Sequence, residues 1–203
     1  MSEVAPTARA VREPRQARSR ASWDRVVAVG RDLLAEGGYD ALTITEVCRR
    51  AGVTAPSIYA RVDGRAGLFR AVYEDVMRDV VASEDELFVA AAPSVAGAVR
   101  ATAEVFDRHE ALLRAIIRQA VEDPALLAQG AATSRRLRSR IAEALGTQDA
   151  VDGRGAASAA RTIYEACVFR TIYGPRFWSD EPETLDRFCD RLTRVAGGLF
   201  ATG

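Results

Sequence analysis

Lysine is absent from this 203-residue sequence, and histidine occurs once, as His109. A single imidazole without a second histidine or an acidic partner at ligand spacing does not make a metal site, and it more often marks the polar end of a helix than a catalytic base. The G-x-S-x-G, P-loop and dinucleotide fingerprints are missing as well. The stretch Gly153-Arg154-Gly155 lacks the preceding strand that a dinucleotide fingerprint needs. We therefore predict that the protein is not an enzyme and needs no cofactor.

Cysteine is scarce, and long apolar runs are missing. The three cysteines, Cys48, Cys167 and Cys189, lie in apolar helical patterns without metal-type spacing, so we interpret them as buried free thiols in a reducing cytosol. No apolar run approaches the roughly 18 residues of a membrane-spanning helix, and no secretory segment is present. The sequence predicts a cytoplasmic protein that does not enter a membrane.

Strand-like alternation is absent too, whereas apolar residues recur at helical spacing throughout, which predicts an all-α fold. The net charge of zero is unevenly distributed. Residues 1–65 carry 11 arginines and 8 acidic residues, and the rest of the chain carries 17 and 20. The basic excess therefore lies at the N-terminal end, which favours nucleic-acid binding there.

Residues 43–68 carry the most informative pattern. Thr43 and Glu46 form a T-x-x-E capping box, and Gly52 ends the short helix that follows. Thr54 is a second N-cap candidate, with Pro56 in the first turn behind it. Two short helices around a tight turn suit a helix-turn-helix unit, which places its second helix in the DNA major groove. Short capped helices also occur in ordinary bundles, so this shape alone leaves DNA binding open.

From about residue 20 to 72, the sequence resembles the TetR family of bacterial transcription regulators. The resemblance rests on DLLAEGGYDALTITEVCRRAGVT, on SIY and on the spacing of Tyr59, Arg65 and Leu68. It implies that Thr45 and Thr54 touch phosphates, that Tyr59 touches the DNA backbone and that Arg65 holds a phosphate. The full predicted DNA-binding set is Thr43, Thr45, Thr54, Ala55, Pro56, Ser57, Tyr59, Ala60, Arg61 and Arg65. Ile58 and Val62 are predicted to face inward.

This segment departs from the family's pattern at several contact positions. The family often has Lys or Arg where this chain has Ala55, His where it has Ala60, and an aromatic pair at Arg61 and Val62. Pro56 replaces a residue that is usually small and flexible. Arg61 and the N-terminal arm are expected to compensate, and base preference does not transfer from relatives. The two alanines also keep open the alternative of a helical small-molecule-binding protein with degenerate DNA binding.

We predict three regions along the chain. Residues 1–19 form a disordered basic arm that either follows DNA or is a solvated tail, residues 20–66 form the helix-turn-helix domain, and residues 67–203 form a helical sensor and dimerisation domain. The first helix is predicted over about 19–36 and the fourth over 65–83. Later helices are predicted over 93–108, from there to 121, and over 124–145, 156–173 and 183–201, with a loop over 148–155.

The last two predicted helices carry wide apolar stripes. Burial against a second subunit is one interpretation, ordinary intramolecular core is the other, and the family resemblance implies a homodimer through these helices. The sensor domain is expected to hold a cavity for a small apolar or aromatic effector, and the alternative for each candidate lining residue is plain core packing. The candidates are Met77, Phe88, Phe106, His109, Ile117, Tyr164 and Phe169. Arg135, Arg136, Arg138 and Arg140 form a basic cluster, interpreted as a solvated helical face rather than an anion site.

Taken together, these patterns and the resemblance predict a ligand-responsive DNA-binding regulator. The leading hypothesis is a repressor that an effector releases from a pseudo-palindromic operator. An activator would share the same DNA chemistry, because the difference depends on where the operator lies.

Overall fold

The computed structural model describes residues 15–146 and 153–199, and within these ranges the chain is helical and has no strand. The predicted all-α fold is confirmed. The helices are α1 Arg15–Ala41, α2 Ile44–Ala51, α3 Ala55–Tyr59, α4 Gly64–Ala90, α5 Val95–Arg108, α6 Glu110–Glu122, α7 Pro124–Gly146, α8 Gly153–Tyr173 and α9 Leu185–Gly198.

The first helix begins at Arg15, about four residues before its predicted start, so the last five residues of the predicted basic arm are helical. Residues 1–14, and with them most of that arm, lie outside the described residues. The predicted glycine stop is present as a kink, since Gly37 and Gly38 leave the helical conformation and Gly38 has a φ of 68°. One further helical turn then leads to Ala41.

The N-terminal unit packs α1 against α2 and α4 around side chains that are fully buried, among them Leu34, Leu42, Ile58 and Leu68. α1 approaches α4 closely at Gly30. An added Cβ there would lie 2.5 Å from Val72 Cγ2, well inside van der Waals contact. A side chain at this crossing would therefore force Val72 or the helices to shift, so α1 and α4 pack tightly here.

The fourth helix extends seven residues beyond its predicted end at residue 83 and connects the two parts of the chain. It packs on α1 in the N-terminal unit and on α5 in the C-terminal bundle, and α1 also packs on α6. Arg31 Nη1 on α1 donates to Asp75 Oδ2 at 2.8 Å and to Asp79 Oδ2 at 2.6 Å on α4. The two parts therefore meet through both packing and ion pairs.

Local capping explains the boundaries of the later helices. Ser94 Oγ accepts the Gly97 amide at 3.0 Å, so α5 starts after this serine rather than at the preceding proline. Asp123 Oδ1 accepts the amides of Ala125 and Leu126 at 2.9 and 3.1 Å, which confirms the predicted start of α7. Most of the predicted loop over 148–155 lies outside the described residues, and α8 already begins at Gly153.

Most of the apolar stripe of α9 packs in the chain's own core, where Phe188, Cys189 and Leu192 are buried. Intramolecular packing thus accounts for most of that stripe. Val195 of α9 is 48% exposed, and a cluster of exposed aromatic side chains lies near the end of α8, where Tyr173 is 54% and Trp178 79% exposed. Among the described residues, the helices are all too short or too polar to cross a membrane.

Candidate functional site

The start of α2 has the predicted threonine cap, with one correction to the capping box. Thr43 Oγ1 accepts the Glu46 amide at 3.2 Å, as an N-cap does. The Thr43 amide donates to the Ala41 carbonyl at 2.9 Å, while the Glu46 carboxylate binds Arg49 and Arg50. The capping box is therefore only half formed, because Glu46 has stronger partners than a backbone amide.

The arginines around Glu46 connect α2 to α1. Hydrogen bonds from Arg49 and then Arg50 lower the pKa of the Glu46 carboxyl to about 2. Arg50 Nη1 also lies 2.8 Å from both carboxylate oxygens of Glu36 on α1. The negative charges on this side of the unit are thus paired, which reduces their repulsion of a nearby polyanion.

The second helix of the motif is short but capped and continued. Thr54 has the extended conformation of an N-cap, although its side chain makes no capping hydrogen bond within the described residues. Ser57 Oγ donates to the Thr54 carbonyl at 2.6 Å. Helical hydrogen bonding continues past Tyr59, since the Val62 amide donates to the Ile58 carbonyl at 3.1 Å. Ile58 is fully buried and anchors the helix, as predicted.

The predicted DNA-contacting residues fall into two groups by exposure. Tyr59 is 57% exposed, and its ring stands out from the end of α3. The exposed group is Thr45, Thr54, Pro56, Ser57, Tyr59, Ala60 and Arg61, and the half-buried group is Thr43, Ala55 and Arg65. The structure therefore presents most of the predicted set at the surface of α2, α3 and the turn after α3.

Arg61 has a role that its sequence position did not indicate. Its Nη2 donates to the carbonyl of Ser19 at 3.0 Å and to Ser19 Oγ at 2.6 Å, and its guanidinium lies 5.2 Å from the centre of the Trp23 ring. These contacts attach the end of the recognition helix to the start of α1. They position the exposed face of α3 relative to the residues from which the N-terminal arm extends.

Arg65 was predicted to hold a phosphate, but its donors point into the protein. Nε donates to the Leu42 carbonyl at 3.0 Å and Nη2 to the Tyr39 carbonyl, while the guanidinium lies 3.9 Å from the centre of the Tyr39 ring. That ring in turn packs edge-on against Phe69 of α4, with centroids 5.2 Å apart. In this structure Arg65 therefore braces the segment before α2 against α4 through Nε and Nη2.

A second candidate site is a cavity of about 530 Å³ between α4, α5, α6, α7 and α8. Four of the seven predicted lining residues do line it: Met77, Phe106, Ile117 and Tyr164. A polar cleft of similar size, about 510 Å³, lies between α1 and α4. Its charged groups, including Arg31, Asp75 and Arg78, are already paired with one another, so the apolar cavity is the better ligand site.

The other three predicted lining residues lie elsewhere, and each has another partner. Phe88 lies under Arg140, whose guanidinium is 5.1 Å from the ring centre. His109 Nε2 lies 2.9 Å from Ser83 Oγ, and burial lowers the pKa of the imidazole. Phe169 stacks on Trp178 with centroids 5.6 Å apart. Phe88 lies one turn beyond Glu84, where the cavity wall on α4 ends, His109 lies between α5 and α6, and Phe169 follows the lining residue Val168 on α8.

Sequence reasoning missed Glu84, which is fully buried in the cavity wall. Its Oε2 accepts from Arg136 Nη2 at 2.5 Å, and burial raises the pKa of the carboxyl. The predicted end of α4 at residue 83 concealed it, although the spacing from Met77 and Val80 puts it on the same helical face. Part of the basic cluster predicted to be solvated also belongs here, because Arg135 and Arg138 line the cavity.

Comparison with known proteins agrees with the fold and with the N-terminal unit. Residues 26–72 match the family of bacterial regulatory proteins called the tetR family. A comparison with curated proteins found no match. Similar solved structures include a putative transcriptional regulator from Streptomyces coelicolor A3(2), with 22% identity, a TM-score of 0.64, and coverage of 86% of this chain and 98% of that chain. Another is a TetR-like transcriptional regulator from Rhodococcus sp. RHA1, with 17% identity, a TM-score of 0.68, and coverage of 95% and 100%.

The fold and the exposed helix-turn-helix define a DNA-binding transcriptional regulator. Residues 26–72 form the N-terminal domain that the tetR family of bacterial regulatory proteins shares.

Proposed function

We propose that this regulator is a homodimeric, ligand-responsive repressor. In a dimer, two α3 helices about 34–36 Å apart would enter successive major grooves of a pseudo-palindromic operator. The single observation that carries the proposal is that α4, the long helix that follows the exposed α3, also lines the apolar cavity.

The proposed DNA contacts are divided by chemistry. Thr45, Thr54 and Tyr59 carry exposed hydroxyls suited to phosphates and fix the register of the protein on DNA. Pro56 and Ser57 are exposed in the first turn of α3, where a recognition helix meets base edges. Arg65 acts indirectly, by bracing the unit through the carbonyl oxygens that it binds.

Homodimerisation through the last two helices is supported by exposed aromatic residues. Phe177 is 48% exposed and Trp178 79% exposed, directly after α8. The area of such rings is large, and side chains of this kind are enriched at the centres of protein interfaces. Because the core covers most of the α9 stripe, we assign the interface to the end of α8 and the segment that follows it as much as to α9.

Effector control would act through α4. This helix contributes Met77, Val80 and Glu84 to the cavity, and Leu68 and Val72 to the core of the N-terminal unit. An effector that binds better to a different placement of α4 would shift the population away from the DNA-binding arrangement. Gly30 makes this coupling tight, because α1 must follow α4 where the two helices touch.

A gel-shift titration with DNA from upstream of the gene, at two stated salt concentrations, tests the proposal. Tyr59→Phe should weaken binding to all sequences by a similar factor, because a phosphate contact carries no base information. Tyr173→Phe is the control, since it also removes an exposed tyrosine hydroxyl, 54% against 57% exposed, leaves α3 unchanged and keeps the aromatic ring at the proposed dimer interface. Equal affinities for Tyr59→Phe and wild type would remove the phosphate contact from the proposal.

A second candidate function is a helical small-molecule-binding protein that has lost operator binding. Ala55 and Ala60 favour it, because methyl groups stand at two positions of the motif that usually offer polar contacts. Ligand binding without any DNA selected from a genomic pool would support this candidate. An activator remains possible with the same contacts, and the position of the selected sites relative to promoters would identify it.

A further inference from the structure

The cavity contains an unusual polar atom. The side chain of Glu84 is 1% exposed, and its Oε2 is paired with Arg136. Its other oxygen, Oε1, is buried and has no hydrogen-bond partner among the described residues. A buried carboxyl oxygen without a partner is costly, because it has lost its water and gained nothing in return.

Two neutral polar groups of the cavity wall already have partners. Tyr164 Oη lies 2.5 Å from Ser134 Oγ, which itself donates to the Gly130 carbonyl at 2.8 Å. This chain of hydrogen bonds requires nothing from a ligand. Glu84 Oε1, by contrast, lies beneath the cavity wall without a partner among the described residues, and a ligand reaches it when the Glu84 side chain turns toward the cavity.

The surrounding charges restrict what that ligand can be. Arg136 already balances the Glu84 carboxylate, and Arg140, which pairs with Asp85, adds a further positive field. Arg135 and Arg138 are exposed and line the cavity. Their field disfavours a cationic ligand, while the unpaired carboxyl oxygen disfavours an anion placed beside it.

A hydroxyl group can form a hydrogen bond with Glu84 Oε1 whether the carboxyl group is ionised or protonated. Toward a carboxylate the hydroxyl donates its proton, and toward a carboxylic acid it accepts one. A carbonyl could serve the acid alone. The remaining wall is mainly apolar, with Val80, Phe106 and Ile117 around the site.

We propose that this cavity binds a neutral, mainly apolar ligand that carries a hydroxyl group, and that Glu84 Oε1 pairs with that hydroxyl. The proposal rests on the proposed function in taking the cavity as the effector site. It does not depend on the operator, on dimerisation or on the direction of regulation.

The test is a calorimetric titration of the whole protein with four biphenyl probes of the same shape. They are para-phenylphenol, biphenyl itself, para-phenylbenzoate and para-phenylbenzylammonium. We expect para-phenylphenol to bind most tightly. Tighter binding of the benzoate or the benzylammonium would overturn the proposal, as would the failure of all four to bind. Equal binding of biphenyl and para-phenylphenol would show that solvent, not ligand, pairs with Oε1, and would overturn it too.

Substitution then links the preference to one atom. In Glu84→Leu, the ratio of para-phenylphenol affinity to biphenyl affinity should fall by about tenfold, the equivalent of one hydrogen bond to a buried carboxyl group. Glu84→Gln keeps an acceptor and a donor, so it should keep most of the preference and serves if the leucine variant does not fold. Asp85→Asn is the control, because it removes an adjacent but exposed carboxylate. An unchanged ratio in both Glu84 variants would overturn the assignment.

Failure of the ligand proposal and failure of the proposed function give different results. If the wild-type protein retards operator DNA in a gel shift without ligand but does not prefer para-phenylphenol over biphenyl, only the proposed ligand class is refuted. A protein that binds para-phenylphenol but selects no DNA would refute the regulator and leave the ligand class standing.

Discussion

Replacing Gly30 by alanine tests whether the contact between α1 and α4 is as close as the structure has it. The new Cβ would lie 2.5 Å from Val72 Cγ2 and 3.4 Å from Leu42 Cδ1. Carbon atoms pack best at about 3.5–4.0 Å, so the two helices would have to separate by roughly 1 Å. Val72 is fully buried and β-branched, so it has no easy rotamer to escape into.

Two opposing terms decide the sign of the change in stability. Forcing an extra methyl group into a packed core costs about 1–3 kcal/mol, and a contact this short in a stiff region favours the upper part of that range. Exchanging glycine for alanine inside a helix returns about 1 kcal/mol. We expect a net loss of about 1–2 kcal/mol, which lowers the midpoint of thermal unfolding by about 2–8 °C for a chain of this size.

The matched control is Gly130→Ala in α7. No atom of the described residues lies within 4 Å of the added Cβ at this position. Only the helix-propensity gain remains, so this variant should unfold about 2–4 °C higher than wild type. Both measurements are thermal unfolding by circular dichroism at one protein concentration.

A double variant identifies the cause. Val72→Ala removes the methyl group that the new Cβ would strike, so Gly30→Ala should cost less in that background than in wild type. If Gly30→Ala raised the midpoint as Gly130→Ala does, the helices would be free to separate. The tight coupling of α1 to α4, and with it the proposed route of effector control, would then be refuted.

Three further predictions concern the helix-turn-helix unit and its junction with the bundle. Arg65→Ala should destabilise the protein by about 1–3 kcal/mol, because it removes the hydrogen bond to the carbonyl oxygen of buried Leu42, and should leave the salt dependence of DNA affinity unchanged. A normal unfolding curve with a salt slope reduced by about 1 would support the phosphate role instead. Thr43→Ala should cost about 1 kcal/mol in denaturant unfolding because its Oγ1 caps α2. Thr54→Ala should leave stability unchanged and weaken DNA binding in a gel shift, and equal losses of stability in the two variants would contradict the capping assignment. Burial lowers the pKa of His109 below its unfolded value, so the native state binds fewer protons and stability should fall as the pH drops through and below about 6.5. In His109→Gln that loss between pH 7.5 and 5.5 should be smaller, and parallel profiles for the two proteins would contradict it.

The sequence predicted the DNA-binding unit well because its signals are local. The Thr43 cap, the Gly52 turn and the buried Ile58 each depend on neighbours within a few residues along the chain. The start of α7 at Asp123 was predicted for the same reason. Caps and turns of this kind depend on the types of neighbouring residues, so they can be predicted without knowledge of the tertiary structure.

Side chains that reach across the fold were not predictable in this way. Arg61 and Arg65 were predicted as DNA contacts, and the sequence did not indicate that they also bind Ser19 and the carbonyl oxygens of Tyr39 and Leu42. A guanidinium on a flexible stem has several possible acceptors, and only their positions in space decide among them.

The cavity shows the same division. Apolar character on the helices predicted that a sensor cavity would be lined by residues such as Met77 and Tyr164, because helical periodicity marks a face. It did not show where along a helix the void ends, as for Phe88, or which face of a helix packs against a neighbour, as for Phe169. That distinction depends on how the helices cross.

By itself, the sequence determined the helical class, the helix-turn-helix motif and the Thr43 cap of α2. These rest on interactions within one or two turns, whose energies depend little on the rest of the chain. Only the tertiary structure decided that Gly30 locks α1 to α4, that Arg65 is a brace and that Glu84 leaves one oxygen unpaired in a cavity. Each of these depends on groups that are far apart in sequence and meet only when the helices pack. Burial at these contacts sets the free-energy cost of a polar atom without a hydrogen-bond partner.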